Sequence, residues 1–337
     1  MHALSLQQRE QFLHALAKLS KSGIALGHAL EVLSRNSDRQ VESCLQTLMA
    51  SLRLSENVGQ AFRRAGFSES DAAIIQAGEA SGRRLDAVFL ELAQLYAQLA
   101  QARRTVILKS IYPVLVFHLA AILLAIPPAL LDGGWAVFLA QSLPILVGFY
   151  LCAFFGAVGW RIARGLLSHN SRSAQTIIRI PVLGGFLLNW TLWKFASVLS
   201  LYIAAGGSLL RAFEIAATVC ENAALKASTT AALSRVRHGE SLSEAFWKQP
   251  GISEPLLRAL QVGEHAGRFD EQLRHAAEFF KQKTFDSLDA FAQWSPRVLY
   301  IFVVVFTGWR IVTMASNFGT HVDAILNISD IMSLYLG

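Results

Sequence analysis

Catalytic motifs are missing from this chain. It has no P-loop, no paired histidine ligands on one helical face, no nucleophile elbow and no cysteine cluster, so phosphoryl transfer, metal-assisted hydrolysis and acyl transfer have no recognisable carrier. The segment Gly78-Glu79-Ala80-Ser81-Gly82 has its serine one position too late for an elbow. Of nine histidines, only His265 and His275 share a neighbourhood, without the spacing that would put both on one face. No metal and no other cofactor is expected, and a scaffold is favoured over an enzyme. The three cysteines, Cys44, Cys152 and Cys220, lie far apart in apolar settings, which excludes a disulfide framework and leaves them as small packing residues.

Charge is also scarce. Only 16% of the 337 residues are charged and the mean hydropathy is +0.39, values that suggest a membrane protein. Met1 to Leu19 is amphipathic and charged rather than a basic start followed by an apolar run, so no cleaved signal is expected and insertion must rely on internal segments. The net charge of +6 does not imply nucleic acid, because Lys and Arg flank apolar segments and no aromatic-rich basic motif accompanies them.

Long apolar runs are what the chain does have. A bilayer core about 30 Å thick takes roughly 20 apolar helical residues, and Ile111 to Leu131, Leu143 to Ala163 and Val298 to Ala315 approach that length. The first is interrupted by His118 and ends in Pro127-Pro128, which can close or kink a helix; the second opens with Pro144 in its first turn. Arg103, Arg104 and Lys109 precede the first run, Arg161, Arg164, Arg172 and Arg179 end or follow the second, and Lys281, Lys283 and Arg297 precede the third. Asp132 to Ser142 and the tail after Ala315 contain neither Lys nor Arg. Cations are retained on the cytoplasmic side, so the N-terminus is expected inside and the C-terminus outside. Arg310, near the outer end of the third run, is expected to snorkel rather than make a buried contact.

The chain also repeats itself. Phe12 and Phe195, Gly23 and Gly206, Leu26 and Leu209, Ala29 and Ala212, and Glu31 and Glu214 pair at one offset; Ala61-Phe62 with Ala245-Phe246, then Gly78-Glu79 and Gly82-Arg83 with Gly263-Glu264 and Gly267-Arg268, follow after small insertions. Apolar residues recur at three and four, so each copy reads as all-α, with about six helices. Ser5 with Gln8 and Ser68 with Asp71 form capping-box patterns, Asp38 can cap a third helix, and Gly23 and Gly66 end helices. The sixth helix of each copy runs on without Pro or Gly toward a membrane span. A domain with one span, simply duplicated, would put its second domain on the opposite face; the middle span returns the chain to the same side.

Among polar residues, Glu79 and Glu264 stand out because two diverged copies keep glutamate between glycines. With Arg83 and Arg268 they are candidate contacts to a partner or second protomer, or ligands to a cation shared between protomers; equally, they can lie beside the N-terminus of the sixth helix and stabilise it locally. Gly23, Gly78, Gly82, Gly206, Gly263 and Gly267 are expected at turns and close-packing points, and Phe62 and Phe246 as core anchors.

Taken together, Ile180-Pro181-Val182-Leu183-Gly184-Gly185 leading to Phe195 and the Ala204-Ala205-Gly206 turn, the two Gly-Glu-x-x-Gly segments, and Tyr112-Pro113 make the chain resemble the inner-membrane platform proteins of type II secretion systems and type IV pili, the F-protein family. It departs from that pattern at Ser22-Gly23-Ile24-Ala25, where a proline often follows the glycine, and in lacking a proline-containing exit from the last span. The resemblance implies a polytopic protein with three transmembrane helices and two cytoplasmic helical bundles. The expected organisation is a first bundle over 1–109, spans at 110–131, 143–163 and 294–315, a periplasmic loop at 132–142, a second bundle over 164–293 and a periplasmic tail at 316–337. It further implies no enzymatic activity, self-association in the inner membrane against lipid, and no direct contact with nucleic acid. The implied partners are a hexameric cytoplasmic assembly ATPase, pilins or pseudopilins, and other inner-membrane assembly proteins. A transporter or channel is the alternative, but that would place repeats and polar binding groups inside the membrane.

Overall fold

A computed structural model describes residues 4–35, 38–54, 57–132, 134–169, 183–220, 222–247 and 249–290, with single positions between 293 and 312. Every regular element among them is a helix. The first repeat contains α1 (Leu6–Lys21), α2 (Leu26–Ser34), α3 (Arg39–Arg53), α4 (Val58–Arg64), α5 (Glu69–Ala80) and the start of α6 (Leu85–Asp132). After α7 (Trp135–His169) come α8 (Leu183–Ala204), α9 (Leu209–Thr218), α10 (Ala223–Arg237), α11 (Leu242–Phe246), α12 (Glu254–Ala266) and α13, helical over 269–290.

Local chemistry explains the boundaries. Ser5 and Ser68 both form reciprocal capping boxes, with Gln8 and Asp71, each satisfying amide donors that the first helical turn leaves unpaired. Asp38 takes the N-cap position of α3, but its side chain makes no capping bond. Gly23 and Gly66 follow α1 and α4 with φ of 80° and 95°, the left-handed conformation that lets the chain leave a helix.

Contacts divide the chain into two compact units, one of residues 1–107 with 158–288, the other drawn from 108–157 and 289–337. Both repeats therefore fall in the same unit. Its core is aromatic in each half. Phe62 lies among Phe12, Phe67 and Phe89, with ring centroids 5.0–6.2 Å apart, and Phe246 lies 4.8 Å from Phe213, itself 6.1 Å from Phe195. Phe62 and Phe246 are fully buried, each worth about 1.5–3 kcal/mol in removed apolar surface. Cys44 is buried there as a packing residue, and burial pushes its thiol up to about 11.

Among the described residues two helices are long and apolar enough to cross a membrane: the stretch Leu85–Leu123 of α6, with mean hydropathy 2.0, and Gly184–Ala204, with 1.2. They are of different kinds. In α8, which holds the second stretch, Leu192, Trp193, Phe195 and Leu199 are buried in the core, so it serves as an apolar core helix of the first unit. Along α6, Ile107, Leu108, Ile111, Leu115, Leu119 and Leu123 are each more than half exposed. Trp135–Leu151 of α7 is a shorter apolar stretch, and Tyr300, Ile301, Val304, Val305 and Val312 are exposed in the third run. Arg310, the tail after Ala315 and the Ile180-Pro181-Val182 part of the resemblance lie outside the described residues.

Two proline expectations meet the structure differently. α6 runs past Pro127-Pro128 to Asp132, so the pair does not close the helix. α7 starts at Trp135, after Gly134 turns the chain with φ 83°, so Pro144 lies inside the helix. An interior proline removes a backbone hydrogen bond, costing ~3 kcal/mol or more in a water-exposed helix; neighbouring helices tolerate it at membrane depth. Within the second unit α6 and α7 meet at His118, whose Nε2 is 2.8 Å from the Tyr150 hydroxyl, beside the stacked Phe117 and Phe149 rings. An ion pair joins Lys109 to Asp289.

Candidate functional site

The repeated glutamates do the same thing in both copies. Glu79 projects from the last turn of α5 and its Oε2 accepts from the Val58 amide, the first of α4, at 2.9 Å. Glu264 projects from the last turn of α12 and accepts from the Leu242 and Ser243 amides, the first two of α11, at 2.7 and 3.1 Å. Each short helix thus has two caps. One is local, Asn57 on Gln60 or Ser241 on Glu244; the other is this carboxylate from a neighbouring helix. Helices of 7 and 5 residues cannot stabilise themselves by propagation, so a carboxylate held against their unpaired amides and dipole is a tertiary clasp. The expectation that these glutamates sit beside the sixth helix is corrected: they reach back to the fourth helix of each repeat, because α5 and α12 pack antiparallel-style end to start against it.

The electrostatics agree. Burial alone would raise the Glu264 carboxyl, but the bonds from Ser243 and the Leu242 amide, with His265 nearby, outweigh it and hold the carboxyl below its ordinary value. A carboxylate depressed in the folded state stabilises fully above its unfolded value, about pH 4.3, and that stability is lost as pH falls through the lower folded value. Replacing Glu264 with alanine is therefore expected to cost about 0.5–2 kcal/mol at pH 7, with the difference from the parent chain shrinking below about pH 4.3. Thermal unfolding of the full chain in detergent between pH 7 and pH 3.5 checks it. Glu264→Gln keeps an acceptor and should retain part of the clasp without its pH dependence.

Arg83 and Arg268 behave differently from each other. Arg83 makes a bidentate pair with Glu91, at 2.7 and 3.2 Å, and faces a cleft of about 370 Å³ between the repeats, with Ser197, Ser200, Asp270 and Arg274 on the other side. Arg268, just before α13, makes a surface pair with Glu271 in that helix, with its side chain 70% exposed. The structure does not gather the four candidates into one site.

The six glycines divide by role. Gly23, Gly82, Gly206 and Gly267 have φ between 68° and 93° and end helices. Gly78 and Gly263 are not turn residues. They lie inside α5 and α12, where an added Cβ would come within 2.7 Å of Val88 Cγ2 or 2.6 Å of Phe269 Cδ1. They are glycine because the sixth helix of each repeat crosses there.

One polar cluster is absent from the sequence reading. Asp71, beyond its capping role, accepts from the Tyr96 hydroxyl at 2.5 Å, while Arg9 donates to Tyr96 Oη at 2.9 Å and to the Gly66 carbonyl at 3.2 Å and lies 3.6 Å from Asp71. The Arg9 guanidinium also covers the Phe67 and Tyr96 rings. The second repeat has Leu192, Leu256 and, counted from the helix starts at Leu85 and 269, Phe280 at these positions, and all three are fully buried. The one available signal was Arg9 on an otherwise amphipathic helix, three residues before Phe12. Among the described residues no three His, Cys, Asp or Glu side chains are placed to hold a metal.

Comparison with known proteins follows the repeat. The family model for type II secretion system (T2SS), protein F, matches residues 12–127 and again 195–316, the two matches opening at Phe12 and Phe195. Type II secretion system protein F of Pseudomonas aeruginosa is 25% identical over 289 residues, 78% of this chain and 70% of that protein. The protein of the same name from Aeromonas hydrophila is 28% identical, over 78% and 73%. Type 4 fimbrial assembly protein PilC of Pseudomonas putida is 24% identical, over 90% and 81%.

Proposed function

Because the chain belongs to the type II secretion system protein F family, we propose that it is an inner-membrane platform of a secretion or pilus assembly machine. The observation that carries this reading is the doubled family match, which spans both repeats and the apolar runs that follow them. In this reading it has three spans, with the N-terminus cytoplasmic and the C-terminus periplasmic, and both repeats work on the cytoplasmic side as helical bundles. There they engage a hexameric assembly ATPase, and the platform couples its cycle to the transfer of pilins or pseudopilins from the bilayer into a filament. The continuity of α6 from Leu85 to Asp132 supports such coupling, since a helix without a break carries a tilt or rotation along its length. The platform self-associates and has no catalytic step of its own.

The test is twofold. Deleting the chain from its host should stop filament growth or export, and the tagged full-length chain should co-purify with the cytoplasmic ATPase. Undiminished filament assembly in the deletion strain overturns the reading. Topology is checked on Ser22→Cys and Ser208→Cys, at two exposed positions, which should both label from the cytoplasmic side; labelling from opposite sides overturns the three-span arrangement.

A further inference from the structure

The two repeats are not side by side by symmetry; they meet by unlike faces. α5 of the first repeat packs against α8 and α9 of the second. Ser81 Oγ donates to the Ala205 carbonyl at 2.7 Å, and Gly206 approaches so closely that an added Cβ would lie 2.5 Å from Ser81 Cβ. The cleft beside this contact is lined by Glu91, Leu95 and Gln98 of α6 and by Ser197, Leu201 and Ala204 of α8. The fifth and sixth helices of repeat one, its back, thus receive the first two helices of repeat two, its front.

That pattern leaves one back and one front unused. The back of repeat two carries an open groove of about 460 Å³ between α12 and α13, lined by Pro255, Ala259, Val262, Ala276 and Phe279. Val262 is 47% and Phe279 42% exposed, and the Lys283 ammonium lies 5.8 Å above the Phe279 ring. By the repeat offset Val262 stands where repeat one has Ala77, and, counted from the helix starts at Leu85 and 269, Ala276 and Phe279 stand where it has Leu92 and Leu95; Leu95 lines the occupied cleft, so the open back is apolar where the occupied one is. The unused front belongs to repeat one. Val32 on α2 is 40% exposed, whereas its counterpart Ile215, on the helix that packs against α5, is 1% exposed. Ser22 is likewise exposed where its counterpart Ala205 is fully buried. Glu69 and Arg211 stand on opposite sides of the internal junction; their counterparts are Glu254 beside the open groove and His28 on the open front, so the acidic side is kept and histidine replaces the arginine.

We infer that copies of this chain associate head to tail, the α1–α2 front of one chain seating in the Val262–Phe279 groove of the next, in the arrangement its own two repeats already adopt. The inference rests on the self-association in the reading above and names its surface. An unlike-face contact of this kind propagates from copy to copy and closes into a ring where the rotation permits, unlike a twofold dimer.

The experiment uses the full chain in membranes, with Cys44, Cys152 and Cys220 replaced by alanine. Ser22→Cys and Ala266→Cys are the counterparts of Ala205 and Ser81. Co-expressed on differently tagged chains, they should give a mixed disulfide dimer on oxidation, and together on one chain a ladder. The paired Ser81→Cys and Ala205→Cys should cross-link within one chain and serves as the folding control. Adding Val262→Glu and Phe279→Glu should reduce the mixed dimer at least tenfold and leave the control unchanged. A good control with no mixed dimer overturns the inference, as do cross-links only between like cysteines, which mark a twofold face. If the chain oligomerises without the mixed cross-link and still co-purifies with the ATPase, only the surface is wrong. A monomeric chain that binds no ATPase overturns the platform reading as well.

Discussion

Replacing Asp71 with alanine is expected to cost about 3–5 kcal/mol of folding stability, the loss that follows when one partner of a buried ion pair is removed and the other stays. Arg9 would keep its charge beside the Tyr96 ring with only the Leu4 and Gly66 carbonyls and Tyr96 Oη as acceptors. The Tyr96 hydroxyl would lose its acceptor, and the Ser68 capping box its reciprocal bond. The readout is the Cys44 thiol, which is buried in the same core and inert while the repeat is closed. With the other cysteines replaced, its labelling under native conditions should accelerate about a hundredfold or more, since labelling follows the population of the opened state. A rate within threefold of the parent would show that the cluster contributes no net stability. The second repeat indicates the compensation. Arg9→Leu, Asp71→Leu and Tyr96→Phe together reproduce its apolar solution and should recover most of the loss, because a buried ion pair replaced by well-packed apolar groups is often neutral.

Acid acts on this cluster in the opposite sense to the glutamate clasp. Burial raises the Asp71 carboxyl above its ordinary value, against the bonds from Tyr96 and Ser68 and the Arg9 charge that lower it. A carboxyl raised in the fold contributes its stability fully below the unfolded value, about pH 3.9, and loses it as pH rises through the folded value. Falling pH therefore weakens the Glu264 clasp while it relieves the burial cost of the Asp71 charge.

The second large effect is expected at Gly206. Its φ of 93° costs a residue with a Cβ about 1–2 kcal/mol, and the new Cβ would meet Ser81 Cβ at 2.5 Å and Oγ at 2.7 Å, an overpacking worth about 1–3 kcal/mol more. Gly23, its counterpart, has φ 80° and nothing within 4 Å of such a Cβ, so Gly23→Ala should show the backbone cost alone. The midpoint of thermal unfolding should fall clearly further for Gly206→Ala than for Gly23→Ala. Ser81→Gly in the Gly206→Ala background should recover the overpacking part, less the lost hydrogen bond to Ala205. Equal effects at the two glycines would mean that the repeats do not meet where Ser81 and Gly206 place them.

Helix class, the punctuation of the first repeat and its core phenylalanines were legible because each depends on residues close in sequence: Ser5 with Gln8, Ser68 with Asp71, Gly23 after Lys21. The glutamates were legible as candidates but not in role. Their target amides lie 21 or 22 residues away, across a helix-to-helix approach that no local pattern encodes. Gly78 and Gly263 read as turn or close-packing residues without a choice between the two for the same reason, since a helical glycine and a turn glycine look alike until the crossing helix is in place.

The sequence by itself determined that the chain is helical, twice repeated and rich in runs long enough for a bilayer, because periodicity, caps and hydropathy are local properties. Only the tertiary structure decided that both repeats join one compact unit through unlike faces, that α8 is a core helix despite its apolar length, and that a buried Arg9–Asp71–Tyr96 cluster holds just one of the copies. Those outcomes depend on which surfaces exclude water together, and residues 25 or 87 positions apart become neighbours only when the helices between them have packed.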